Sequence, residues 1–134
     1  MRARLIALTD EARTALESGD RPIELLPFRI GRESRIPSPA PWTRGERRLG
    51  TTPQLNDLYL LDDAEPFNVS REHFQIEADG DRFFLTDRGS ACGTIVEGRT
   101  VGGDRRSERV EVHDHDVIIV GPATSPFVFK LRIG

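Results

Sequence analysis

The chain has 134 residues, enough for one compact domain and too few for two ordinary ones. With 37% hydrophobic and 31% charged residues it reads as globular, not disordered, and no apolar run approaches the length of a membrane span. A net charge of −3 gives no general electrostatic grip on nucleic acid, and a single cysteine, Cys92, excludes an internal disulfide framework and a cysteine-based zinc cluster.

In chain order, ARLIAL (3–8) is an apolar run of strand type. TDEARTALESG (9–19) follows, with acids at its start, Ala12, Ala15 and Leu16 at helical spacing, and Gly19 as a stop, which predicts a short helix. PIELL (22–26) and FRIG (28–31) are short strand-type runs separated by Pro27. From Glu33 the character changes: a proline- and arginine-rich stretch reads as a long exposed loop inserted over 33–55. Strand-type segments resume at DLYLL (57–61), HFQIEA (73–78), RFFLTD (82–87) and GTIVEG (93–98), then RVEVH (109–113), DVIIVG (116–121) and FVFKLRI (127–133). In HFQIEA the residues Phe74, Ile76 and Ala78 alternate with Gln75 and Glu77, the period of a half-buried strand, and ADGD (78–81) is a hairpin turn. About ten short strands with frequent turn signals predict an all-β fold, an antiparallel β-sandwich built as a single domain over 1–134.

Loops at one end of a sandwich are the usual place for a binding site on that architecture. Three candidate loops carry chemistry: Arg32 where FRIG ends, NVSREH (68–73), and DRGSACGT (87–94). Of the 19 basic residues all but Lys130 are arginine, a bias that a GC-rich, bacterial genome explains, so each arginine needs its role argued from position. Should the three loops meet, Arg32, Ser70 and Arg71 would supply two guanidiniums and a hydroxyl, the makings of a phosphate pocket. From composition alone, a surface arginine and a turn serine are the commoner reading.

Five ordered segments resemble a forkhead-associated (FHA) domain: IGR (30–32), NDLYL (56–60), VSREHFQI (69–76), LTDRGSACGTIVEG (85–98) and VHDHDVIIVG (112–121). The resemblance covers nearly the whole chain apart from 33–55. It implies a sandwich of about eleven strands (the FHA/SMAD-like architecture) and a module that binds phosphothreonine on a protein partner, either a serine/threonine kinase or its substrate. It implies no enzyme activity and no cofactor. On this resemblance Arg32 and Ser70 match the family's phosphate ligands, and Arg71 a position that often adds a phosphate or peptide contact. His73 matches a histidine that braces the loop from inside, Gly31 and Gly93 match glycines that shape the loops, and Thr94 matches a motif threonine.

Two peptide-facing positions depart from the family pattern. Ala91 stands where a hydroxyl is frequent, and Cys92 stands where an asparagine usually clamps the peptide backbone. Glu97 replaces a second, turn-forming asparagine. Losing one peptide hydrogen bond weakens binding about five- to tenfold. These departures motivate the alternative, a phosphate-independent interaction scaffold on the same fold. The remaining motifs have bland readings. NVS fits a glycosylation sequon, but the apolar start of the chain is too short and too quickly charged for a signal peptide, so the expected compartment is the cytoplasm. His113 and His115 read as a solvated turn and not a metal site, Cys92 lacks an orienting triad, and RGERR (44–48) is either a solvated face or an arm over the ligand.

Overall fold

The computed structural model describes residues 2–34 and 55–134. The expected insertion over 33–55 therefore lies, apart from its ends, outside the described residues, as do RGERR and Trp42. Eleven strands and one short helix follow in the order β1 (Ala3–Ala7), α1 (Asp10–Leu16), β2 (Asp20–Ile23), β3 (Phe28–Arg32), β4 (Leu58–Leu60) and β5 (Phe74–Asp79). They continue as β6 (Arg82–Arg88), β7 (Thr94–Val96), β8 (Arg99–Val101), β9 (Ser107–Val112), β10 (Val117–Val120) and β11 (Val128–Ile133).

The strands form two sheets, β2-β1-β11-β10-β7-β8 and β4-β3-β5-β6-β9. Alternation decides which side chains lie between them: Phe74 and Ile76 of β5, Phe83 and Leu85 of β6, and Phe129 and Leu131 of β11 are all buried. With Leu5, Ile30, Leu60 and Ile118 they make one continuous core, each large side chain contributing about 2 kcal/mol by leaving water. The helix starts where the sequence indicates, with Thr9 Oγ1 accepting from Ala12 N at 3.2 Å and Asp10 and Glu11 in the first turn. Its apolar face, Ala12, Ala15 and Leu16, closes onto the core.

The all-β sandwich of eleven strands is the expected architecture, and three details of it differ. One pairing is parallel, β4 with β3, Ile30 opposite Leu58 and Arg32 opposite Leu60. The run PIELL does not stay in the sheet: β2 ends at Ile23, and Leu25 is 82% exposed with no core to face. A strand, β8, was not expected at all. It pairs with β7 through a two-residue turn whose central residues, Glu97 (φ 47°) and Gly98 (φ 80°), both lie in the left-handed region. Glu97 tolerates that backbone because its carboxylate accepts from Val117 N at 2.7 Å, fixing the turn against β10.

Candidate functional site

The three candidate loops do meet. Because β3 lies between β4 and β5, the chain leaving β3 runs beside the segment that enters β5. Backbone bonds extend that pairing beyond the strands: His73 N donates to Ile30 O at 3.0 Å and Arg32 N donates to Ser70 O at 2.9 Å. Gly31 sits in the narrowest part of this contact, where an added Cβ would overlap the Arg71 carbonyl and the Asn56 amide. A Gly31→Ala variant is therefore expected to push the Ser70–Arg71 turn away from Arg32. It should lower stability by about 2 kcal/mol, read as a shift in the urea midpoint.

His73 is fully buried beneath the loops. Its Nδ1 accepts from Ser70 N at 2.9 Å, which leaves Nε2 to carry the proton and donate to Gly93 O at 2.7 Å. One imidazole thus ties the loop carrying Ser70 to the loop carrying Ala91 and Cys92. Burial lowers its pKa from the ordinary 6.5, against smaller opposing effects of the Gly93 carbonyl, Asp87 and Asp62. A depressed folded pKa means that the unfolded chain takes up the proton first, so stability is complete above 6.5 and falls as pH drops through the window below it. The carboxylates held low in the fold, Asp57, Glu108, Glu111 and Asp114, start from 3.8 or 4.5, so their contribution begins to be lost at more acid pH than that of His73, which starts from 6.5. The urea midpoint should therefore be lower at pH 5.5 than at pH 7.5, and His73→Gln should flatten that difference while costing stability at both.

Below the loop from β6 to β7 lies a second buried centre, Asp87. Its Oδ1 accepts from Gly89 N at 3.1 Å and Ser90 N at 2.8 Å, and its Oδ2 from Ser90 Oγ at 2.7 Å and Thr94 Oγ1 at 2.9 Å. Ser90 Oγ in turn accepts from Gly93 N at 2.9 Å, so the carboxylate sets the whole turn from Gly89 to Thr94. Gly102 (φ 72°) closes over Asp87 at a distance that leaves no room for a Cβ. Asn56 and Arg88 hold the remaining side: Arg88 Nη1 donates to Asn56 Oδ1 at 2.7 Å, and Asn56 Nδ2 donates to Arg71 O at 2.7 Å. Asn56, Asp87 and Arg88 were not assigned roles from the sequence, since each acts on partners that only the fold brings near.

Above this support stand the residues expected to bind. Arg32 is half-buried, with Nε donating to Val69 O at 3.0 Å and its guanidinium carbon 3.9 Å above the ring of Phe67. Its pKa is lowered by burial first and by neighbouring Arg71 second, with Asp62 opposing. Asp62 is not its ion-pair partner; that carboxylate accepts from Asn68 N and Val69 N, at 2.6 and 2.8 Å. The side chain of Arg71 is exposed, with no ion pair among the described residues. Ser70 Oγ accepts from Ala91 N at 3.0 Å, which leaves its own proton for a ligand. Ala91 and Cys92 are exposed beside it, the Cys92 thiol pointing at Phe67 O at 3.8 Å. Gly93 and Thr94 turn inward, Thr94 fully buried. The geometry offers two like-charged guanidiniums and one hydroxyl at a single surface point, an arrangement that an anion relieves and a cation aggravates.

Two of the other features noted in the sequence lie elsewhere. His113 and His115 occupy the β9–β10 turn, and no cluster of three or more metal-ligating side chains occurs among the described residues. A groove of about 870 Å³ is lined by Arg2, Arg4, Pro22, Phe83 and Arg132 and shares no residue with the loops above. No helix among the described residues is long and apolar enough to cross a membrane.

Comparison with known proteins accords with this fold. The FHA domain of CT664 from Chlamydia trachomatis superposes with a TM-score of 0.63 at 20% identity, over 100% of this chain and 99% of that one. An FHA domain of an Arabidopsis thaliana hypothetical protein gives 0.63 at 20% identity, over 98% of this chain and 85% of that one. EmbR of Mycobacterium tuberculosis, solved with a low-affinity phosphopeptide, gives 0.60 at 23% identity, over 99% of this chain but 24% of EmbR. A search of curated proteins finds no match. The family model for the FHA domain matches residues 28–121, which include all three loops, and the chain belongs to the FHA-domain family.

Proposed function

We propose that the chain is a phosphopeptide-recognition module that reads phosphothreonine on a protein partner, a serine/threonine kinase or one of its substrates. The observation that carries this reading is the charge at the loop tips. Among the described residues nine arginines, among them Arg29, Arg82, Arg88 and Arg132, are paired with carboxylates; Arg2, Arg21, Arg105, Arg32 and Arg71 are not, and of these Arg32 stands near enough to Arg71, beside the Ser70 hydroxyl, for the second charge to lower its pKa. In this reading Arg32 and Ser70 hold the phosphate, Arg71 assists, and the peptide passes over Ala91 and Cys92. Arginine supplies charge-assisted, directional bonds that a dianionic phosphate answers and a neutral hydroxyl does not. The phosphopeptide bound to EmbR supports the reading by family.

The work is recognition, with no chemical step and no cofactor. His73 and Asp87 hold loops and are not exposed to a substrate. We take residues 1–134 as one such module, with 33–55 inserted between β3 and β4, acting in the cytoplasm. Fluorescence polarisation against a degenerate phosphothreonine library and its unphosphorylated twin tests the proposal. Binding confined to the phosphorylated library is expected. Equal binding to both would favour a phosphate-independent scaffold.

A further inference from the structure

A phosphate site must hold an arginine still without neutralising it. A carboxylate partner fixes a guanidinium well, but it cancels the charge and competes with the incoming anion. An aromatic face attracts the guanidinium through its quadrupole and leaves the charge in place. Arg32 is held in the second way. Its guanidinium lies 3.9 Å over the Phe67 ring, Nε is spent on the Val69 carbonyl, and no carboxylate among the described residues is bonded to it. The two Nη groups have no acceptor among the described residues, so the fork is oriented and still available for an oxyanion. Phe67 is meanwhile 45% exposed, unusual for a phenylalanine that serves packing alone.

The backbone of Phe67 meets the loop after β6, where the Cys92 thiol points at the Phe67 carbonyl at 3.8 Å and the neighbouring Ala91 amide is spent on Ser70. These are the two positions where the usual peptide-clamping polar groups are absent. The rim of the site there consists of a ring, a thiol and a methyl, all exposed. The same loop carries Asp63 and Glu65, both exposed, which disfavours an acidic neighbour on the ligand.

Resting on the phosphopeptide reading above, we propose that Phe67 is a positioning residue for Arg32, and that its free surface, with Ala91 and Cys92, favours an apolar side chain beside the phosphorylated residue. One face of the ring would set the phosphate fork, and the rest would replace the missing polar clamp with apolar contact.

Phe67→Leu, Phe67→Tyr and Phe67→Ala in the full chain separate the two roles. Leucine keeps apolar surface and loses the π face; tyrosine keeps both; alanine loses both. Against the phosphothreonine library, Phe67→Leu should bind about fivefold more weakly with the apolar preference retained, as loss of an exposed cation–π contact implies. Phe67→Tyr should match wild type, and Phe67→Ala should lose affinity and preference together. In an Arg32→Lys background, which keeps the charge without the planar fork, Phe67→Leu should cost less than in wild type. A Phe67→Leu that binds as wild type, or an equal loss in the lysine background, overturns the positioning role. Enrichment of charged flanking residues overturns the apolar preference. The Arg32 Nε–Hε resonance in the free protein decides the positioning role independently of any peptide: ring-shifted in wild type and Phe67→Tyr but not in Phe67→Leu is expected, and no difference among the three overturns it. Wild type that ignores phosphorylation would defeat the phosphopeptide reading, and that resonance would still report on Phe67.

Discussion

Arg32→Ala is expected to lower the affinity for a phosphothreonine peptide about a hundredfold, with no saturable binding of the unphosphorylated peptide to either protein. The estimate follows from the two Nη groups left free by the Val69 and Phe67 contacts. Each would make a charge-assisted bond worth roughly 1.5 kcal/mol net, and about 3 kcal/mol is two decades in affinity. The fold should notice little. Within the protein Arg32 gives up one half-buried bond to a carbonyl and one ring contact, together about 2 kcal/mol, so the melting temperature should fall by no more than about 7 °C. Arg32→Lys should lie between the two, about tenfold weaker than wild type, because an ammonium keeps the charge and loses the fork. Isothermal titration of the three proteins with one phosphorylated peptide, beside their thermal melts, measures both halves of this expectation. A large drop in melting temperature with the loss of binding would make Arg32 a structural residue instead.

The opposite profile is expected at Asp87. Alanine there removes the acceptor for two backbone amides and two hydroxyls in a fully buried site, with Gly102 packed against it. Groups stranded in this way cost roughly 1–3 kcal/mol each, less where a hydroxyl can turn to another acceptor, so Asp87→Ala should lose about 4 kcal/mol of stability. Asp87→Asn keeps one acceptor and should lose roughly half as much. Chemical denaturation of the two variants against wild type provides the numbers. A loss below about 1 kcal/mol for alanine would mean that the turn from Gly89 to Thr94 is held by its own backbone and not by this carboxylate.

The contrast between these residues shows what a sequence displays and what it conceals. Alternation exposed β5 and β6, because Phe74, Ile76, Phe83 and Leu85 share one face and the turn between them is marked by Gly80. The cap on α1 was equally plain, since Thr9 and its acidic neighbours act within one turn of chain. β8 was hidden because its turn uses Glu97 where asparagine would have signalled a hairpin, and what secures Glu97 is an amide 20 positions away. The parallel pairing of β3 with β4 was hidden for a related reason: partners separated by more than twenty residues leave no periodic trace between them.

In the candidate site, the ordered motifs brought out Arg32, Ser70, Arg71 and His73, all of which the fold gathers at one point. What supports them was not visible. Asn56 reaches 15 positions to the Arg71 carbonyl, Arg88 reaches 32 positions to Asn56, and neither distance has a signature in composition or spacing. Gly31 stood out as a glycine at a strand end, yet its reason is a close approach by a segment forty residues on, where no positive φ is involved. Phe67 gave no signal at all. It is one of seven phenylalanines and sits between Pro66 and Asn68, and only its place under the Arg32 guanidinium distinguishes it.

The central claim is that a phosphorylated segment seats on the loops around Arg32. A nitrogen-15 NMR titration of the chain with a phosphothreonine peptide, and with its unphosphorylated twin, tests it most directly. Saturable shifts at Arg32, Ser70, Arg71, Ala91 and Cys92 with the phosphorylated peptide alone are the expected result. Shifts centred on the groove lined by Arg2, Arg4 and Arg132, or the same shifts with either peptide, would contradict it.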